Sequence, residues 1–112
     1  MILAGYDGDN ESIPASAVAE ITMMCFNRVV PIAVPVIAFL SGGQPDGEAV
    51  LNLNAINNPE LPIFNQRYLT FSFGRELQQN SLQEWASGNS ELAQKAFIDR
   101  AKECQLAVRG QL

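Results

Sequence analysis

The sequence contains no histidine, and this absence excludes several kinds of active site. Ser-His and Cys-His nucleophile pairs, imidazole-bound zinc and the commonest general base all require that side chain. Lysine is also scarce, because only Lys95 and Lys102 are present. Side-chain amine chemistry in this chain is therefore restricted to two residues.

Clustered positive charge is also missing. The chain has 7 basic and 12 acidic residues, a net charge of −5, and no run of basic residues. This argues against a nucleic-acid partner, since binding to a phosphate backbone requires clustered Lys and Arg. A small phosphate ligand is not excluded, because one arginine and a few backbone N–H groups can hold it.

Cysteines and long apolar runs are few. Cys25 and Cys104 lie far apart, each at an apolar helical position, so we expect two reduced core residues rather than a disulfide. The apolar run over residues 29–40 is too short for a membrane span and contains two prolines. No arginine precedes Arg28, so the basic region of a signal peptide is missing. We expect a soluble cytoplasmic protein with no membrane partner.

What is present predicts a packed α/β chain. Hydrophobic residues make up 47% and charged residues 17% of 112 residues, which suits one small domain or a piece of a larger one. The pattern predicts the order loop, α, β, α, β, α, α, with the first helix starting near Pro14. The acidic segment Asp7-Gly8-Asp9-Asn10-Glu11 is expected to be a solvated loop, because Ser12 and Val18 occupy positions where a calcium loop needs Gly and Glu.

The two predicted strands differ in pattern. Residues 35–40 are apolar throughout, which is typical of a strand buried on both faces in a parallel sheet. Residues 68–73 alternate, with Leu69, Phe71 and Phe73 on one face. Helices are predicted over residues 46–57, after residue 75 and after Gly88. We expect two apolar helical stripes and a further group of core side chains, as follows. The first helix has Val18, Ile21, Cys25 and Val29; the last has Ala93, Phe97, Ala101, Cys104 and Val108; Leu77, Leu82, Trp85 and Phe97 are also assigned to the core.

Ser41, Gly42 and Gly43 directly follow the first strand and precede a helix. Glycines let backbone N–H groups approach an anion, and a helix N-terminus adds partial positive charge. An ordinary turn that requires positive φ is the alternative interpretation. The segment matches neither a Walker A loop nor a dinucleotide fingerprint.

Gly74 and Arg75 follow the second strand in the same way. Phosphate is commonly bound at the C-terminal ends of the last strands of a β/α barrel, and the arginine fork suits phosphate. The alternative is an exposed Arg75 paired with Glu76 or Glu84. Two successive strand ends with glycine favour an anion site more than either does separately.

Three motifs carry a family resemblance. Residues 39–44 (Phe-Leu-Ser-Gly-Gly-Gln), 51–57 (Leu-Asn-Leu-Asn-Ala-Ile-Asn) and 69–75 (Leu-Thr-Phe-Ser-Phe-Gly-Arg) resemble class I, Schiff-base fructose-bisphosphate aldolases. The resemblance extends from about Ala19 to about Val108. It implies the last two βα units and terminal helix of a TIM (β/α)₈ barrel. A complete barrel needs about 250 residues, so we expect residues 1–112 to be a partial barrel domain.

The resemblance also implies roles for individual residues. Ser41, Gly42, Gly43, Gly74 and Arg75 would bind the C1 phosphate of fructose 1,6-bisphosphate or dihydroxyacetone phosphate. No catalytic residue, metal or cofactor is implied within the chain. The Schiff-base lysine of the family lies in a Lys-Pro-Asn-Met run whose Met resembles Met1, so we expect it just before this residue and the chain alone to be inactive.

Some positions depart from the family pattern. Pro45-Asp46-Gly47 replaces the usual Ser-Glu-Glu, and Phe73 replaces a common Tyr. Two other functions remain open: a stand-alone module that binds a phosphate ligand without catalysis, and a chain that folds only with the rest of a barrel or with itself. Because two strands cannot cover both faces of the first strand, we expect self-association.

Overall fold

The computed structural model describes residues 1–5, 7–9, 13–63 and 67–112. Its helices and strands are, in chain order, α1 Ala15–Val29, β1 Val36–Phe39, α2 Glu48–Ile56, β2 Tyr68–Phe71, α3 Arg75–Ala86 and α4 Ser90–Val108. This order confirms the predicted one. Asp7, Gly8 and Asp9 are exposed as expected of the acidic loop, whereas the Asn10-Glu11 part of that prediction lies outside the described residues.

The two strands form a parallel sheet, and α2 connects them as a βαβ unit. The register pairs Val36 with Tyr68 and Phe39 with Phe71. One further bond follows the last pair, since the N–H of Ser72 donates to the carbonyl oxygen of Phe39 at 2.8 Å. Because the strands are parallel and in register, the loops that follow them leave the same edge of the sheet.

One face of the sheet packs against the helices. Phe39, Leu69 and Phe73 are buried there, which confirms the predicted alternation of residues 68–73. They join one apolar cluster with residues of three helices, listed here: Ala19 and Met23 of α1, Ala49, Val50, Leu53 and Ile56 of α2, and Cys104 and Ala107 of α4. The core therefore lies between the sheet and α1, α2 and α4.

The prediction that the first strand is buried on both faces is wrong. Leu40 is 70% exposed, and Val36 and Ala38 are exposed as well. In the described part of the chain, these side chains have no layer packed over them. An apolar run suits a strand covered on both sides, but here only the helix-facing side has a neighbour.

Several predicted core positions are also corrected. In α1, Val18 is buried as predicted, but Ile21 and Val29 are exposed. The rest of the buried face contains Ala19, Thr22 and Met23. This face lies against α2, so the stripe is rotated from the predicted one.

Trp85 is 67% exposed, Leu82 and Phe97 are exposed too, and only Leu77 is partly buried in the core. Helix α3 packs mainly against α4, so the sides of α3 that face away from α4 are largely exposed to solvent.

Both cysteines are free thiols, as predicted, but only Cys104 is a core residue. Cys25 is half-buried. Burial raises the pKa of the Cys104 thiol to about 11, which keeps it protonated at neutral pH. Gly88, with φ of +81°, occupies the C′ position of α3 as predicted. Among the described residues, none of the helices combines the length and apolar character that crossing a membrane requires.

Candidate functional site

The Ser41 loop, residues 41–46, begins with a tight turn directly after β1. The backbone N–H of Gln44 donates to the carbonyl oxygen of Ser41 at 3.2 Å. Gly42 has φ of +57°, a left-handed conformation that side chains with Cβ rarely adopt. The alternative interpretation, a turn that requires positive φ, is therefore correct for Gly42 and leaves an additional role in ligand binding open.

A side chain of α2 helps to fix the conformation of the Ser41 loop. The side-chain amide of Gln44 donates to the carbonyl oxygen of Ser41 at 3.1 Å and accepts, through Oε1, a bond of 2.8 Å from Asn52 Nδ2. Ser41, Gln44 and Asn52 are all buried. These bonds explain two residues of the family motifs, since Gln44 and Asn52 fix the backbone on which Gly42 and Gly43 are presented.

The glycines of both loops face open space. Gly42, Gly43 and Gly74 are exposed, and a Cβ added to any of them would meet no atom within 4 Å. The protein itself therefore does not require glycine for close packing at Gly43 or Gly74. Free space beside a backbone N–H is what an anion needs for close approach.

The Arg75 loop, residues 72–75, leads from β2 into α3. Gly74 is the N-cap residue, and no side chain caps the helix there. The first N–H groups of a helix have no intrahelical acceptor, and they carry the partial positive charge of the helix dipole. Arg75 is the first residue of α3 and is exposed, so its side chain can reach a ligand at this end of the helix.

The predicted alternative for Arg75, an ion pair with a neighbouring glutamate, is not found. Within the described ranges, every ion pair belongs to another arginine, Arg100. Glu76 is turned inward to that residue, and Glu84 lies 3.4 Å from Asn89 Nδ2. Arg75 therefore retains its guanidinium for solvent or for a ligand.

A partly buried ion cluster, which was not predicted from the sequence, lies behind both loops. Arg100 of α4 contacts Glu76 at 2.8 Å, Asp46 at 3.1 Å and Glu103 at 3.1 Å; we call these four residues the Arg100 cluster. Glu76 is 3% and Arg100 is 9% exposed. One signal was present in the sequence: Arg100 lies seven residues after Ala93 and four before Cys104, on the apolar face of its helix, where a charge needs partners.

Burial decides the direction of the pKa shift of Glu76, whereas neighbouring charges decide that of Arg100. Desolvation raises the pKa of Glu76 above its ordinary value, while Arg100 and the backbone N–H groups of Val50 and Gly47 oppose the shift and Asp46 adds to it. Burial acts to lower the pKa of Arg100, but the three carboxylates together raise it, so the guanidinium stays charged.

One part of the predicted anion site changes as a result. The N-terminus of α2 was expected to add positive charge to the Ser41 loop. Its Gly47 and Val50 N–H groups act instead on Glu76, a carboxylate of the protein. The uncapped N-terminus of α3 is the helix end that remains available at the strand ends.

Neither of the two lysines lies in a loop that follows a strand. Lys95 and Lys102 are both exposed residues of α4, and neither follows a strand. The five predicted site residues, in contrast, all follow strands at one sheet edge. We call Ser41, Gly42, Gly43, Gly74 and Arg75 the strand-end cradle.

Parallel strands joined by a helix, each followed by a glycine-containing loop at the same edge, define a protein of the α/β class. A family model described as "Glycolytic: Fructose-bisphosphate aldolase class-I" matches residues 1–112. The chain belongs to the class I fructose-bisphosphate aldolase family, and the resemblance found in its motifs is confirmed.

Individual relatives agree with the family assignment. Fructose-bisphosphate aldolase B of Gallus gallus is 47% identical over 114 aligned residues, covering 99% of this chain and 30% of the relative. Fructose-bisphosphate aldolase 5, cytosolic, of Arabidopsis thaliana is 47% identical over 96 residues, covering 84% of this chain and 26% of the relative.

A solved structure of fructose-bisphosphate aldolase from Plasmodium falciparum, in complex with TRAP and a small-molecule inhibitor, superposes with a TM-score of 0.82. It is 36% identical, and the match covers 96% of this chain and 30% of that one. The chain thus spans less than a third of the length of these relatives. Its fold is consistent with the C-terminal part of a TIM barrel, as predicted.

Proposed function

We propose that residues 1–112 are a partial TIM-barrel domain of a class I fructose-bisphosphate aldolase and contribute its C1-phosphate site. The ligands would be the strand-end cradle, with Ser41, Gly42 and Gly43 on one side and Gly74 and Arg75 on the other. One observation carries the proposal: the register of β1 and β2 and the bond from Ser72 to Phe39 send both glycine loops out at one sheet edge.

The chemistry of the cradle suits a phosphate dianion. Gly42 and Gly43 offer backbone N–H groups beside open space, α3 offers an uncapped N-terminus, and Arg75 offers a planar fork of donors without a competing carboxylate. Charge-assisted bonds of this kind are shorter and stronger than neutral ones. These features support a sugar phosphate as the ligand class.

In a complete aldolase, a lysine amine attacks the ketose carbonyl, the carbonyl oxygen leaves as water, and the resulting iminium serves as the electron sink for cleavage of the C3–C4 bond. Cleavage of fructose 1,6-bisphosphate gives dihydroxyacetone phosphate and glyceraldehyde 3-phosphate. This reaction is a reversible step of glycolysis and gluconeogenesis. The share of this segment is orientation, because an anchored C1 phosphate presents the carbonyl to the amine in a reactive geometry.

The lysine itself would come from polypeptide preceding Met1 in a complete barrel. The exposed positions of Lys95 and Lys102 on α4 support this. The sulfur of Met1 lies 3.8 Å from Gln44 Nε2, so residue 1 is beside the Ser41 loop. The cytosolic name of the Arabidopsis relative supports a cytosolic location.

The proposal is tested with inorganic phosphate and three forms of the chain. The line width of the phosphate ³¹P resonance is measured during titration with wild type, Arg75→Ala and Arg28→Ala. Arg28 is a matched control, because it is also exposed but lies in the last turn of α1. We expect Arg75→Ala to lose about 1.5–3 kcal/mol of binding free energy, roughly tenfold to over a hundredfold in affinity. Arg28→Ala should bind as wild type does. Equal losses in both variants would refute the site.

A further inference from the structure

Arg100 contacts Asp46, which follows the glycines of the Ser41 loop, and Glu76, which lies in the first turn of α3. Its Nη2 atom lies 3.1 Å from Asp46 Oδ2, and Asp46 follows Gly43 by three residues. Its Nη1 atom lies 2.8 Å from Glu76 Oε1, and Glu76 directly follows Arg75. One guanidinium therefore joins residues that lie 30 positions apart in sequence and immediately behind the proposed phosphate ligands.

The sheet does not extend far enough to hold these loops together. The last backbone bond between the two strands runs from Ser72 N–H to the Phe39 carbonyl oxygen, before either loop begins its turn. Beyond it, polar contacts through the carboxylate of Glu76 and the guanidinium of Arg100 connect the two sides, beside the apolar packing of Phe73 in the core. A Cβ on Gly47 would lie 3.9 Å from Arg100 Nη1, so the guanidinium fills the space beside the start of α2.

We propose that Arg100 is a positioning residue of the phosphate cradle, which sets the separation of the Ser41 loop and the first turn of α3 through Asp46 and Glu76. The inference rests on the proposed function, since it concerns the same phosphate. A phosphate held from two sides needs donors of both loops at bonding distance at once. Lengthening a hydrogen bond of about 2.9 Å by about 1 Å takes it out of bonding range. Arg100 does not touch the ligand and acts only through the two carboxylates.

Two carboxylate-to-amide variants separate positioning from other effects. Asp46→Asn weakens the link from Arg100 to the Ser41 loop. Glu103→Gln weakens its link to a half-exposed residue on its own helix, with the same change in charge. Both variants keep the buried pair of Arg100 and Glu76, so both should fold. Through-space electrostatics predict slightly tighter phosphate binding in each variant, because each removes a negative charge. Positioning predicts weaker binding in Asp46→Asn alone, so the sign of the change distinguishes the two effects.

The experiment measures ³¹P line widths of inorganic phosphate with the full chain at one protein concentration, together with urea unfolding followed by circular dichroism. We expect Asp46→Asn to bind phosphate about threefold or more weakly and Glu103→Gln to bind as tightly as wild type or slightly tighter. The double variant Glu76→Leu with Arg100→Met removes both buried charges. It should retain a wild-type unfolding midpoint but bind as weakly as Asp46→Asn.

Phosphate binding by Asp46→Asn that is as tight as that of Glu103→Gln would overturn the inference. So would wild-type affinity in a folded double variant. The proposed function fails separately: it is refuted if wild type and Arg75→Ala bind alike, whatever the Asp46 variant does.

Discussion

Arg67 lies at the opposite end of β2 from Arg75, and its side chain is buried. Its Nη1 donates to Asn27 Oδ1 at 3.0 Å and its Nη2 to the carbonyl oxygen of Val30 at 2.6 Å, which ties the end of α1 to the start of β2. In a β/α barrel this N-terminal end of the strands contributes to stability and not to the active site. Arg67 therefore differs from Arg75 in function as well as in burial.

We expect Arg67→Ala to lower the free energy of unfolding by about 1–3 kcal/mol, because the acceptors near it lose a charged donor. Phosphate affinity should not change. Urea unfolding measures the change in stability, and the ³¹P titration measures the change in phosphate affinity. Arg75→Ala should show the opposite result, with a lower phosphate affinity and an unchanged free energy of unfolding. If both variants lost affinity equally, the assigned ends of β2 would be wrong.

Lys95 and Lys102 bear on whether the chain alone can catalyse. An exposed lysine amine is a poor nucleophile unless a buried environment or a neighbouring charge activates it. Both side chains are exposed on α4. We therefore expect no stoichiometric adduct after incubation with dihydroxyacetone phosphate and borohydride, as measured by mass spectrometry. A specific adduct on either lysine would contradict the assignment of the Schiff base to polypeptide outside residues 1–112.

At the scale of elements, the Arg100 cluster joins the starts of α2 and α3 to the middle of α4. Burial raises the pKa of Glu76 in the folded chain above its value in the unfolded chain. The folded state therefore binds this proton more tightly than the unfolded state. The resulting stability is fully present below the unfolded-state pKa and is lost as the pH rises through the raised folded-state pKa.

We expect Glu76→Gln to gain stability relative to wild type as the pH rises from about 4 to about 7, since glutamine has no charge to desolvate. The charged and titratable groups that interact with this carboxylate are Arg100, Asp46 and Cys104. Unfolding midpoints at a single protein concentration measure the difference, with the exposed Glu91→Gln as the control for loss of an acidic charge. A difference between Glu76→Gln and wild type that shrinks or stays constant over this range would contradict the direction of the pKa shift.

The whole chain is more open than a compact domain of its length. Its radius of gyration is 15.0 Å, compared with about 13 Å for a compact domain. Its accessible surface is 7103 Å², compared with about 6,100 Å² expected for its mass. Part of this surface is the face of the sheet that bears Val36, Leu40 and Tyr68. Each apolar side chain left in water forgoes about 1.5–3 kcal/mol, which is a large share of the 5–15 kcal/mol that stabilises a typical domain.

We expect the chain to self-associate at micromolar concentration through this open sheet face, and to bind hydrophobic dye. Sedimentation and amide hydrogen exchange test the prediction. Val36→Lys with Leu40→Lys should shift the distribution toward monomer, whereas Ile32→Lys, an equally exposed position before β1, should not. A dispersed wild-type monomer with slow exchange in both strands would contradict it and would favour a stand-alone binding module.

Local features of the sequence were enough to predict the order of elements. Pro14, the apolar run at residues 36–39, the alternation of residues 68–73 and Gly88 each act on their immediate neighbours, so their effect is visible in sequence. The family motifs were visible for the same reason, because they are contiguous. The common edge of the two glycine loops was predictable because the C-terminal ends of parallel strands joined by a helix meet at one edge of the sheet. The phosphate role of the strand-end cradle stays a prediction.

Which side chains are buried was decided only by the tertiary structure. Leu40 and Trp85 look like core residues, yet they are exposed because the chain supplies no layer over them in its described part. Arg100 looks like a surface residue, yet it is buried because Asp46 and Glu76, 54 and 24 residues away, meet it behind the cradle. Periodicity determines which face of an element is apolar, but burial depends on what packs against that face, and those partners are distant in sequence.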